Sequence, residues 1–214
     1  MLKTDSKTLR MTIAALFVAI IVVMDVIPQV GFFSYGAISI TFLIIPVAVG
    51  AYLLGAGWGA LFGLVFGLAS LLRCFAIPYP DAFGAAVWAI NPAGCAAMCL
   101  IPRMLMGFCC GLIGDLARKD PDAKGFKDIM PMIICSLAGA LLNTVFFVTA
   151  FILIYRNADL SALQIGLLSE KSIKEIILIF VSINALVELA VCGILGTILC
   201  KALKPVFKKA DIYE

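Results

Sequence analysis

ISITFLIIPVAVGAYLLGAGWGALFGLVFGLASLL, Ile38 to Leu72, runs without a single charged residue. One helix of that length would overshoot the roughly 30 Å hydrocarbon core of a bilayer. Two helices with a tight turn at Gly55 to Gly57 fit. Gly55, Gly59, Gly63 and Gly67 recur at every fourth residue, so they share one face of the second helix. In lipid, helix association is driven by packing, and a row of small residues lets another helix approach closely. Any polytopic membrane protein can own such a hairpin, so the row alone names no function.

The rest of the composition agrees with a membrane solvent. The chain has 214 residues, 64% of them hydrophobic and 14% charged, with a mean hydropathy of +1.14. A soluble domain carries about 25% charged residues. There is no histidine, which removes histidine metal sites and histidine general bases. The formal net charge of +3 sits in a few loops and gives no argument for nucleic acid. Eight cysteines lie mostly inside apolar runs and form no C-x-x-C pair. They read as small buried hydrophobes, with neither disulfides nor a metal site expected. No Walker A motif, paired carboxylates, H-E-x-x-H or nucleophile motif is present. No catalytic residue and no cofactor are therefore expected.

The fold class expected is all-α: one polytopic domain over 1–214 with six transmembrane helices at about 11–27, 40–54, 58–72, 92–116, 130–154 and 174–203. Met1 to Arg10 is polar and basic, but the apolar run after it is too long for a signal-peptide core, so a retained first helix is expected. Pro46 is expected to kink the second helix. Gln29 to Ser39 reads as a loop. Arg73 to Ile90, RCFAIPYPDAFGAAVWAI, reads as a long structured lid, and Asn91-Pro92 as the cap and first position of the next helix. The basic residues set orientation. Lys3, Lys7, Arg10, Arg118, Lys119, Lys124, Lys127, Lys201, Lys204, Lys208 and Lys209 fall on one side, and Arg73, Arg156, Lys171 and Lys174 on the other. That bias puts both termini in the cytoplasm of a multi-pass cell-membrane protein.

Polar residues deep in apolar helices usually face the protein interior and often mark a substrate path. Arg103 is one, and Pro102 beside it frees the carbonyl of Met98. Two readings are open for Arg103: an ion pair with Glu188, or direct binding of an anionic ligand. Asn143 and Asn184 are interior amides that either bridge helices or line a site. Asn91 marks the positive end of its helix, which suits a carboxylate. Arg73, at the start of the lid, offers a second cation, and Trp88 an aromatic wall. Asp25 sits at the far end of the first helix, shallow enough to reach water. The candidate substrate-binding set is Arg73, Trp88, Asn91, Arg103, Asn143 and Asn184. Ala15 and Ala19, one turn apart, permit close approach of another helix.

Several segments resemble the substrate-binding S components of energy-coupling factor (ECF) transporters. They are Arg10 to Ala19 (RMTIAALFVA), Ile44 to Ala51 (IIPVAVGA) with Leu54-Gly55 and Gly59-Ala60, Phe66-Gly67-Leu68, and Ile101 to Gly107 (IPRMLMG). The resemblance covers nearly the whole chain and is most like the pantothenate branch. It implies a non-enzymatic subunit that captures a vitamin from outside and docks in the bilayer on a transmembrane coupling protein driven by two ATPase subunits. It further implies that Ala15 and Ala19 form the small-residue face that meets the coupling protein. Another vitamin, such as folate or a thiamine precursor, or a solitary ion-coupled carrier, are the alternatives.

Overall fold

The computed structural model describes residues 6–27, 30–35, 38–75, 77, 81–118, 125–156 and 185–209. In chain order these form α1 (Ser6–Val26), β1 (Phe32–Tyr35), β2 (Ile38–Thr41), α2 (Ile44–Leu54), α3 (Ala56–Arg73), α4 (Ala82–Ile90), α5 (Pro92–Ala117), α6 (Phe126–Tyr155) and α7 (Ala185–Lys209). Five of these, α1, α3, α5, α6 and α7, are long and apolar enough to cross a bilayer. The expected all-helical polytopic class holds, with two local corrections.

The first concerns 29–41, expected as a loop and the start of a helix. Here β1 and β2 form an antiparallel hairpin, Phe32 opposite Thr41 and Tyr35 opposite Ile38. The run Phe32 to Thr41 is rich in aromatic and β-branched residues, which favour paired strands. Consequently α2 starts at Ile44 and has only 11 residues, about 16 Å of helix. Pro46 then falls in the first turn, where its missing amide costs nothing, so the proline does not by itself force the expected kink. Ile44 to Leu53 are all buried. A helix apolar all round is sheathed by its neighbours.

The second correction is in Arg73 to Ile90, where Ala82 to Ile90 form the helix α4. Asp81 caps it, its Oδ1 accepting from the Phe83 amide at 3.2 Å. Asn91 caps α5 as expected, accepting from the Gly94 amide at 2.9 Å, with Pro92 following. The start of the last expected helix, 174–184, and the loop before it lie outside the described residues.

Gly55 alone makes the turn between α2 and α3, with φ at +103°, a conformation open to glycine. The turn is clasped from α5. Arg118 Nη1 donates to the carbonyls of Tyr52 (2.9 Å) and Leu53 (3.0 Å) at the end of α2. Asp115 Oδ2 accepts from the Ala56 amide (3.0 Å) at the start of α3. A cation thus serves a helix C-terminus and an anion a helix N-terminus, each matching the dipole it faces. Arg118 and Asp115 also pair with each other.

The glycine row packs on α5, antiparallel and in step. A Cβ at Gly59 would lie 2.1 Å from the Gly107 carbonyl oxygen. At Gly63 it would lie 2.1 Å from the Arg103 carbonyl oxygen, and at Gly67 2.8 Å from that of Cys99. Gly107 and Gly111 return the contact, a Cβ at Gly111 falling 2.4 Å from Ala56 Cα. The α3–α5 contact is the most extensive between helices, followed by α5–α6 and α6–α7. Because these neighbours are backbone, Gly63→Ala is expected to destabilise by about 1–3 kcal/mol and Gly63→Leu to abolish binding and transport together. Gly57 has nothing within 4 Å of its Cβ position, so Gly57→Ala should be neutral or mildly stabilising. Thermal unfolding of the detergent-purified variants measures the contrast.

Candidate functional site

Pro102 removes one amide from α5, and Arg103 Nη1 donates to the carbonyl left over, that of Met98, at 2.7 Å. The arginine is thereby folded back along its own helix and buried. Its guanidinium carbon lies 4.9 Å from the ring centroid of Phe147 on α6 and 5.6 Å from that of Phe66 on α3. Cation–π attraction is strongest in such desolvated settings. Phe83 of α4 packs against Phe147 and Phe151 at 6.4 and 5.8 Å between centroids, so α4 covers this aromatic box.

Three buried polar atoms on these helices have no protein partner among the described residues: Arg103 Nε, Asn143 Oδ1 and Ser70 Oγ. Asn143 is one helical turn from Phe147 on α6, and Ser70 one turn from Phe66 on α3. An unsatisfied buried polar group costs about 1–3 kcal/mol, so donors and acceptors placed this way are suited to a polar ligand. No ion pair joins Arg103 to Glu188 among the described residues. Glu188 Oε1 instead accepts the Thr41 amide at 2.7 Å, tying the end of β2 to α7. In place of the ion pair of the first reading, Arg103 takes the Met98 carbonyl and Glu188 the Thr41 amide.

The other expected site residues have different surroundings. Arg73 Nε bonds Asp25 Oδ1 at 2.7 Å, and Arg73 Nη2 bonds the Asp25 carbonyl at 3.0 Å. Asp25 is therefore buried in an ion pair, contrary to the expectation that it reaches water; the hairpin and α3 close over the end of α1. The Arg73 guanidinium also lies 3.8 Å from the Phe32 ring centroid, and Phe32 touches Phe66 at 6.1 Å. Trp88 is half-buried and meets Phe75 edge-on at 4.5 Å. The side-chain oxygen of Asn91 is spent on its cap, and its carbonyl accepts from Tyr155 Oη at 3.0 Å. Asn184 lies outside the described residues. Of the six, Arg103 lies over Phe66 and Phe147, and Asn143 is one turn from Phe147 on α6. Arg73 reaches Phe66 through Phe32, Trp88 packs on Phe75, and Asn91 bonds Tyr155. Phe66, Phe147 and Ser70 were not expected from sequence. The small-residue spacing hid Phe66, and nothing in the pattern marked Phe147. In the loop ahead of α4, burial pushes the Asp81 carboxyl above its ordinary range, against the pull of the Gly84 and Phe83 amides.

A family model, ECF transporter, substrate-specific component, matches residues 9–200. The chain belongs to this family. Among curated relatives, a pantothenate transporter of Leuconostoc mesenteroides, PanT, is 30% identical over an alignment of 188 positions that covers 81% of this chain and 88% of its own. The ECF substrate-specific component is a vitamin-binding transport subunit and a multi-pass membrane protein, in keeping with the five spanning helices. The resemblance seen in the sequence motifs holds over most of the chain.

In this ECF component the Asp25–Arg73 pair is nearly dry, its side chains 7% and 12% exposed. Removing one partner leaves a buried charge, a loss of about 3 kcal/mol or more, whereas removing both is far milder. Asp25→Asn and Arg73→Gln alone should each lower the melting temperature well below that of the double variant. Equal melting of single and double variants would show the pair to be dispensable.

Proposed function

We propose that this chain captures pantothenate from outside the cell and presents it to an ECF module for ATP-driven import. The reading is supported by family membership, by the relative named as a pantothenate transporter, and above all by Arg103. A guanidinium buried among three helices, anchored through Nη1 and with Nε unpartnered among the described residues, is prepared for a carboxylate. Pantothenate offers a carboxylate at one end and two hydroxyls with an amide at the other. Arg103 takes the carboxylate, and Asn143 Oδ1 accepts from a hydroxyl or the amide N–H. Ser70 completes the polar lining. Phe66 and Phe147 pack on the aliphatic chain and keep water out, which strengthens each polar contact. Arg73, Trp88 and Asn91 act as supports of the rim, and Asn184 as a further polar residue of the same site. Both termini face the cytoplasm, so the rim at Arg73 and Asn91 faces outward and the clasped turn at Gly55 faces in.

The coupling partner is a transmembrane protein carrying two ATPase subunits. Ala15 and Ala19 are exposed on α1, in a face with Leu16, Ile20 and Val23. Small residues on an open apolar face permit close docking of another helix within the bilayer.

Charge-assisted hydrogen bonds contribute about 1.5–3 kcal/mol. Arg103→Gln should therefore weaken pantothenate binding by roughly 10- to 150-fold, measured by titration calorimetry on the purified protein. Pantothenol, which replaces the carboxylate with an alcohol, should bind both forms weakly and equally. An unchanged pantothenate affinity in Arg103→Gln sinks the assignment, and a competing panel of vitamins shows whether another ligand belongs there. Ala15→Trp with Ala19→Trp should stop uptake in vesicles holding the whole module while leaving binding by the solitary protein intact; loss of both functions counts against the docking face.

A further inference from the structure

Cys74 closes α3, and Cys95 and Cys99 stand one turn apart on α5. Their three Sγ atoms all lie within 4.8 Å of one another, and all three residues are buried. Cys74 and Cys95 approach to 3.7 Å. The cluster is covered by α4: Cys95 Sγ lies 3.9 Å from the Gly84 carbonyl oxygen, and a Cβ at Gly84 would fall 2.8 Å from Cys74 Sγ. Apolar packing alone does not require three thiols at one point; Cys110 and Cys135 also meet, through each other's carbonyls, but among the described residues no other trio of thiols comes this close.

We propose that Cys74, Cys95 and Cys99 bind a divalent d10 metal ion of the zinc class through three thiolates. Zinc–sulfur bonds of about 2.3 Å put the sulfurs of a trigonal site about 4 Å apart, close to the spacing already present. The donor set is all sulfur, which selects a soft ion over magnesium, calcium or manganese. Charge separates the divalent from the monovalent ion. Three thiolates and a divalent ion leave one net negative charge, which in the ligand-free protein Arg103, one turn beyond Cys99 on α5 and in electrostatic reach of it, offsets. A cuprous ion would leave a second negative charge uncompensated in a low-dielectric setting. Each thiol gives up its proton on binding, so metal uptake releases acid. An ion there fastens the end of α3 to the start of α5 directly beneath α4, beside the aromatic box.

Cadmium serves as the probe because its thiolate bonds absorb in the near ultraviolet. The full-length protein in detergent, reduced with a non-chelating phosphine, is titrated with Cd2+ and then with Zn2+ in competition. One Cd2+ per chain is expected, with an absorbance of three thiolates, and zinc displaces it only in large excess because the softer cadmium binds thiolate more tightly. Cys74→Ser, Cys95→Ser and Cys99→Ser should each weaken binding by roughly tenfold or more and cut the band by about a third, while Cys192→Ser and Cys200→Ser leave both unchanged. The count of thiolates on the unaltered protein stands even where a serine variant fails to fold. Binding that survives the triple serine variant, no stoichiometric uptake, or a Cys74–Cys95 disulfide formed in air in place of metal uptake would each overturn the proposal.

Discussion

Two helix backbones meet almost without side chains between them. Gly59 and Gly63 of α3 lie against the carbonyls of Gly107 and Arg103 on α5, and the remaining elements are placed around that seam. Lipid tails give no hydrophobic advantage to helix association, so close packing has to supply it. The seam fixes the register of α5, and with it the depth of Arg103. It also brings Asp115 and Arg118 level with Gly55, where they satisfy both helix ends at the turn. One four-residue repeat therefore sets the position of a buried charge and the closure of a hairpin.

The spanning helices were legible because apolar runs between basic loops are strong signals in a membrane chain. The α5 cap was legible because Asn91-Pro92 is chemically specific. The hairpin at 32–41 was not, since a short apolar segment reads equally as a helix start, and pairing with a second strand decided it. The effect of Pro46 likewise depends on where the helix begins. α4 was hidden by its glycine, alanines and the two preceding prolines, which read as loop.

Within the site, Arg103 and Asn143 stood out because polar groups in apolar helices are expensive and point inward. The carbonyl that Pro102 frees was also foreseeable, and Arg103 takes it. Partner choice was not foreseeable. Glu188 takes a backbone amide from the hairpin, an element absent from the expected fold, and Asp25 takes Arg73 across 48 positions of sequence. Phe66 and Phe147 carry no mark that separates them from the other phenylalanines until α3, α5 and α6 are assembled. The thiol cluster was invisible because Cys74 and Cys95 are brought together by α4 and the α3–α5 register, with no C-x-x-C spacing.

α1 packs on α2 and α3, whereas the aromatic box is built from α3, α5 and α6 beneath α4. The exposed alanine face and the polar atoms that would meet a ligand therefore share few residues. Substitutions on α5 or α6 can reshape the box without altering the outer surface of α1, and the reverse holds as well. A chain divided in this way can change what it recognises while keeping the same mate, and one docking surface can be inherited unchanged by subunits with different cargo.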